Sequence, residues 1–144
     1  MSLDGTYDTD NIFAKIARGE APCAKVYEDD DVLAFLDLFP QGRGHTLVIS
    51  KTAQARNLLD IDIETLGRLM AGVQKVARGV RAALNPDGIV ITQFNGAPAG
   101  QTVFHLHFHI VPRFEGVALA GHGSGHMAEA AELAALAKEI GAKI

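Results

Sequence analysis

The chain has 144 residues, a formal charge of −4 at pH 7, 48% apolar residues and 21% charged ones. That size suits one domain, and the composition is that of an ordinary soluble globular protein. The negative balance gives no basic face for a nucleic acid, and no apolar run approaches the ~20 residues that span a bilayer.

Cys23 is the only cysteine, so no intrachain disulfide is possible and a reducing cytoplasm is the expected compartment. The opening stretch "MSLDGTYDTD" is acidic and lacks a signal-peptide core. Residues 1–10 are expected to be disordered or tag-derived, with Met1, Ser2 and Leu3 as a cloning remnant, and residues 11–144 to form a single domain.

"NIFAKIARGE" reads as a short helix, with Ile12, Phe13 and Ile16 on one face and Gly19 as its stop. "AKVYEDDDVLAFLDL" reads as two strands around an acidic turn from Glu28 to Asp31. "GHTLVIS" is a third strand, introduced by the turn residues of "PQGRG". From Ile63 to Leu84, the residues Leu66, Leu69, Met70, Val73, Val76, Ala77, Val80 and Leu84 recur at helical spacing. That run predicts one long amphipathic helix, with Asp62 as its N-cap and "NPDG" as its stop. "GIVITQF" reads as a strand, "NGAPAGQ" as a break, and "TVFHLHFHIVP" as its antiparallel return. "GHGSGHM" reads as a mobile loop holding His122 and His126. "MAEAAELAALAKEIGAKI" follows as a C-terminal helix packed through Met127, Ala131, Leu133, Leu136 and Ile140. About five antiparallel strands with few, segregated helices predict an α+β domain.

The chemistry concentrates in "HLHFHIVPRF". His105, His107 and His109 alternate with Leu106, Phe108 and Ile110, so on a strand the imidazoles share one face and the apolar residues the other. The back face calls for burial, which makes this an interior strand. Each imidazole brings two nitrogens that need partners, so three in a core are hard to satisfy. Two functional readings stand beside the structural one. In the first, the row binds a metal, with His45, His122 and His126 available for recruitment and Glu115 as the closest carboxylate. In the second, one imidazole attacks phosphorus while its neighbours orient it and handle charge. The upstream loop "NGAPAGQTV" favours the second, because its glycines, amides and hydroxyl can meet an oxyanion closely.

"HLHFHIV" resembles the signature of the histidine triad (HIT) hydrolases and nucleotidyltransferases. "VLAFLDLFPQGRGHTLVISK", the long helix, "NGAPAGQTV" and "PRFEG" resemble the family in order and spacing, from about Asn11 to Gly125. The resemblance implies a HIT-like fold and a metal-independent hydrolase or transferase that needs no cofactor. It would cleave at the α-phosphate of nucleoside phosphoramidates or dinucleoside polyphosphates and release a nucleoside monophosphate. It implies His107 as nucleophile, His105 and His109 as flanking members, and Gln101 and Thr102 as donors to the phosphate or leaving group. Asn95 and Gly100 fall on the phosphate side, Asp37 on the ribose hydroxyls, and His45 at the site edge. Ile12, Phe13, Ile16, Phe35 and Leu38 would wall the base, expected to be a purine. A two-fold homodimer is implied as well. A binding module without turnover and a His-ligated metalloenzyme are the competing classes.

The proposed chemistry sets its own requirements. His107 must be bare at its attacking nitrogen, so its other nitrogen should donate to a carbonyl. Charge on the phosphoryl oxygens would be met by loop donors and by His105 or His109 as a cation. Many bacterial relatives carry Cys-x-x-Cys for a structural zinc in the segment matching "NIFAKI". Asn11 and Ala14 stand there, so no structural zinc is expected.

Overall fold

The computed structural model describes residues 2–122 and 126–144. Its sheet is built from β1 (Lys25–Glu28), β2 (Val32–Leu36), β3 (Thr46–Ser50), β4 (Gly88–Thr92) and β5 (His107–Arg113), in the order β1-β2-β3-β5-β4. Every neighbouring pair is antiparallel. Helices α1 (Ile12–Ala17), α2 (Ile63–Leu84) and α3 (Ala130–Gly141) complete an α+β fold.

Strand alternation divides the interior in two. Val32, Ala34 and Leu36 of β2, Val48 of β3, and Phe108 and Ile110 of β5 face a core closed by α2 and α3. The intervening Leu33, Phe35, Leu47 and Ile49 face the other side, where Phe13 and Ile16 of α1 cover them. His107 and His109 belong to this second face, so β5 has a fully apolar back and a histidine front. A shift of one residue in register would exchange the two faces. The register pairs His109 with Leu47 and His107 with Ile49, which puts the imidazoles over the smaller core.

Helix α2 forms where the spacing predicts it. The Asp62 side chain accepts from the Thr65 N–H, and Asn85 closes the helix in the left-handed region at φ 48°. Leu69, Val73, Val76 and Val80 form its buried stripe, whereas Met70 is exposed. The acidic turn is held by its own side chains. Asp29 Oδ1 accepts from the N–H groups of Asp31 and Val32, and its Oδ2 accepts from the Tyr27 hydroxyl.

Three expectations need correction. β5 begins at His107, not at Thr102. Gly96 and Gly100 take φ values of 89° and 112° around a short 3₁₀ turn, and Leu106 N–H donates to Ala55 O, so residues 101–106 pair outside the sheet. β4 correspondingly stops at Thr92, before Gln93 and Phe94. Helix α3 starts only at Ala130, because Ala128 N–H is tied to Leu38 O in an extended approach. Leu133, Ala137 and Ile140 are its buried residues, and Met127 and Ala131 are exposed. Of the stretch read as a mobile loop, residues 123–125 lie outside the described residues.

The segment before α1 packs against the body. Arg56 donates to the carbonyls of Ser2 and Thr6, Asn57 Nδ2 donates to Leu3 O, and the Tyr7 hydroxyl meets His105. Among the described residues no helix is long and apolar enough to cross a membrane.

Candidate active site

A cleft of about 450 Å³ opens on the histidine face. Ile12, Phe13 and Ile16 of α1, Phe35 of β2, and Asp37, Leu38 and Phe39 beyond it line one end; Thr102, His107, His109 and His122 line the other. Ile12, Leu38 and Phe39 are each about half exposed, at 48%, 49% and 46%, an apolar rim of the kind that covers a flat ligand.

The protons in this cleft can be assigned from the hydrogen bonds. His107 Nδ1 lies 2.6 Å from the carbonyl oxygen of His105, so Nδ1 carries the proton and donates. In the neutral ring Nε2 is then bare. Behind the row, the Gln41 backbone N–H donates to His45 Nδ1 at 3.0 Å, which puts the His45 proton on Nε2. That Nε2–H lies 2.9 Å from His109 Nδ1 and donates to it. His109 must therefore hold its own proton on Nε2, and that buried nitrogen has no hydrogen-bond partner. Within the histidine row, His107 thus presents a bare nitrogen beside an unspent N–H on His109.

Burial holds these rings neutral. His105 is pushed down to about 4 by burial first and then by His107. Burial and the neighbouring His107, His45 and His122 push His109 to about 2. Burial also lowers His107, against its hydrogen bond to the His105 carbonyl and the nearby Asp37. Burial works against the cationic His105 or His109 that the sequence leads one to expect, while the Asp37 carboxylate comes within 4.8 Å of a His109 ring nitrogen.

His105 stands behind the cleft. Its ring donates to the Ser50 backbone and its Nδ1 accepts from the Tyr7 hydroxyl at 2.6 Å. Phe13 meets His107 edge-on, at 4.9 Å between centroids and 89° between planes. Asp37 reaches the cleft while its Oδ1 accepts from the Phe39 N–H and its Oδ2 lies 3.5 Å from His45 Nε2.

Thr102 lies exposed on the cleft wall, but two amides expected beside it do not face the cleft. Gln101 accepts from Gly96 N–H and donates to the carbonyls of Arg56 and Val103, so its side chain holds the loop in shape. Asn95 accepts from Gln93 Nε2 and from Leu58 N–H, which ties the loop to the turn that begins at Leu58. Gly100 gives its carbonyl to His122 Nε2 at 2.8 Å. Sequence reasoning missed Tyr7, Phe39 and Val103, and read His122 as a loop residue that could cover part of the cleft or join a metal. Tyr7 lay in the set-aside terminus, and His122 stood among glycines with no periodic signal.

The donor set also tests for a metal. Asp37, His45 and His109 bring one ligand atom each within 4.8 Å of one another. A metal-bound imidazole gives its second N–H to an acceptor, yet the second nitrogen of His45 faces the Gln41 N–H, a donor. The trio fits an ordered chain of protons and does not fit a metal. At the other candidate position, the Asn11 side chain accepts from Ala14 N–H and caps α1, and neither side chain is a zinc ligand.

A mixed sheet face of this kind, three alternating imidazoles beside an apolar cleft and a glycine-rich loop, defines a histidine triad protein. The HIT domain family matches residues 18–116, and the chain belongs to that family. A Hit-like protein from Bartonella henselae has a similar structure, with a TM-score of 0.90 and 50% identity, covering 97% of this chain and 100% of that one. "Protein hit" of Bacillus subtilis is 47% identical over 103 residues, which is 72% of this chain and 70% of that protein. Adenosine 5'-monophosphoramidase hnt1 of Schizosaccharomyces pombe is 37% identical over 134 residues, 92% of this chain and 97% of that one.

Proposed function

We propose that this protein hydrolyses nucleoside 5′-phosphate derivatives at the α-phosphorus through a nucleotidyl intermediate on His107, releasing a nucleoside monophosphate. The observation that carries this reading is the ordered pair of nitrogens, bare on His107 and protonated on His109, in one cleft. His107 Nε2 attacks phosphorus, and the leaving group departs with the electron pair of its bond, an amine leaving group taking up a proton from solvent as it goes. The new imidazolium keeps its Nδ1–H on the His105 carbonyl, which shares the positive charge. His109 Nε2–H meets a phosphoryl oxygen as a neutral donor that is already in place, as effective electrostatic stabilisation requires. Water then breaks the P–N bond and returns His107 to its neutral form.

The substrates proposed are nucleoside phosphoramidates and dinucleoside polyphosphates. The apolar end of the cleft takes the base, proposed to be a purine, between Ile12, Ile16 and Leu38, and Asp37 takes the ribose hydroxyls. The relative from Schizosaccharomyces pombe, called an adenosine 5'-monophosphoramidase, supports the phosphoramidate. The lone Cys23 supports a cytoplasmic setting. A homodimer is proposed through β4, an outer strand that leaves Val90 and Ile91 exposed; sedimentation as a dimer at micromolar concentration checks it.

The deciding experiment uses a nucleoside phosphoramidate labelled in its nucleotide part. Acid-free quenching should leave label on His107. His107→Ala should bind nucleotide but lose turnover by at least a thousandfold. Turnover without labelled protein, or wild-type rates in His107→Ala, would refute the mechanism.

A further inference from the structure

The hydrolysis step proposed above needs a group to take the proton of the attacking water, and the nitrogens already assigned are spoken for. His105 uses both, one on Ser50 and one on Tyr7. His45 uses both, one on the Gln41 N–H and one on His109. His109 accepts at Nδ1 and carries its proton at Nε2, so it is a donor toward the cleft. His107 is itself bonded to phosphorus in the intermediate.

His122 is the remaining imidazole in the cleft lining. The described residues leading to it from β5, 114–122, are tied to Gln41: Ala120 N–H donates to Gln41 O, and the Gln41 side chain donates to Ala120 O. From there the His122 Nε2–H donates to the Gly100 carbonyl at 2.8 Å. The ring is held between Phe94, 4.6 Å away, and the ring of His109, 5.2 Å away and nearly perpendicular. With its proton committed to a carbonyl, neutral His122 leaves Nδ1 bare, and Nδ1 has no partner among the described residues. This repeats the arrangement of His107, where a carbonyl fixes the proton and frees the opposite nitrogen. A basic nitrogen oriented by a hydrogen bond on its far side is the geometry of a general base.

We propose that His122 is the general base of the second step, a catalytic residue for hydrolysis of nucleotidyl-His107; the proposal rests on the covalent mechanism above. After the leaving group departs, water takes its place opposite His107. The water oxygen bonds to phosphorus, its proton passes to His122 Nδ1, and the electron pair of the P–N bond returns to His107 Nε2. His122 leaves the step as an imidazolium, still donating to Gly100, and passes the extra proton to solvent, to which its half-buried position gives access.

A rapid-quench experiment separates the two steps. Full-length wild type, His122→Phe, His122→Ala and His107→Ala are mixed with nucleotide-labelled phosphoramidate, and both leaving-group release and protein-bound label are followed. His122→Phe keeps a ring against Phe94 and His109 but has no basic nitrogen. It should release its first leaving group within about twofold of the wild-type rate and accumulate close to one label per site. Its steady-state turnover should fall about a hundredfold, the low end for a lost general base. Free imidazole should restore part of the steady-state rate of His122→Ala, a response that a purely structural role would not give. Wild-type turnover in His122→Phe overturns the proposal, and so does slow turnover without accumulated label or imidazole rescue. A wild type that neither turns over nor takes label refutes the covalent mechanism itself, and this inference with it.

Discussion

Replacing His45 by Phe removes the ring that decides where the His109 proton sits. His109 can then hold its proton on Nδ1 and turn a bare Nε2, a lone pair, toward the phosphoryl oxygens. Loss of one preorganised donor of this kind costs on the order of a hundredfold in kcat. His45→Phe should lose about that much, with nucleotide affinity changed far less, and ¹⁵N shifts of His109 should show the proton moved or shared. Full activity in this variant would mean the chain from Gln41 through His45 is not used. At this scale the sequence was informative where a motif dictates direction. Alternation puts His107 and His109 on one face, and the apolar residues at 12, 13, 16, 35 and 38 do line the cleft. It was silent on amides. Whether Gln101 points at a ligand or back at the Gly96, Arg56 and Val103 backbone depends on how the loop closes in space, which spacing does not encode.

Elements dock here through contacts as close as a missing side chain. Gly141 ends α3, and a Cβ added there would lie 2.6 Å from the carbonyl oxygen of Val26 in β1. The obstacle is strand backbone, so relief requires lifting the end of α3 and with it Ile140, which is fully buried. Overpacking of this kind costs about 1–3 kcal/mol, more than the helix propensity gained from alanine. Gly141→Ala should therefore lower Tm by roughly 5 °C, read by calorimetry, with catalytic constants unchanged because α3 packs on the face opposite the cleft. A rise in Tm would show that β1 and α3 slide past each other freely. The long helix was legible because its period, its cap and its stop agree at Asp62, Leu84 and Asn85. The start of β5 was not. "TVFHL" has strand composition, but the Gly96 and Gly100 turn delivers it to Ala55 instead of to β4.

Across the whole molecule, several buried imidazoles make acid the main threat to stability. Each of His45, His105, His107 and His109 is lowered from the ordinary 6.5, with burial the leading cause in every case. A histidine lowered on folding binds its proton more readily in the unfolded chain. Its contribution is therefore fully present above 6.5 and is lost as pH falls toward the folded value. For His105, with a folded value of about 4, the loss across that window is about 3 kcal/mol, at 1.36 kcal/mol per pH unit. The other rings steepen the slope in the same direction. Carboxylates titrate mostly below about pH 5, so the interval from 6.5 to 5 isolates the histidines. Calorimetry at half-unit steps should find Tm nearly level above pH 7 and falling by roughly 5–10 °C between 6.5 and 5, with more than one proton taken up on unfolding. His105→Asn should flatten that slope by about one proton. A Tm that stays level through this interval would mean the folded rings titrate as they do in water, and the neutral nitrogens on which the chemistry depends would not exist.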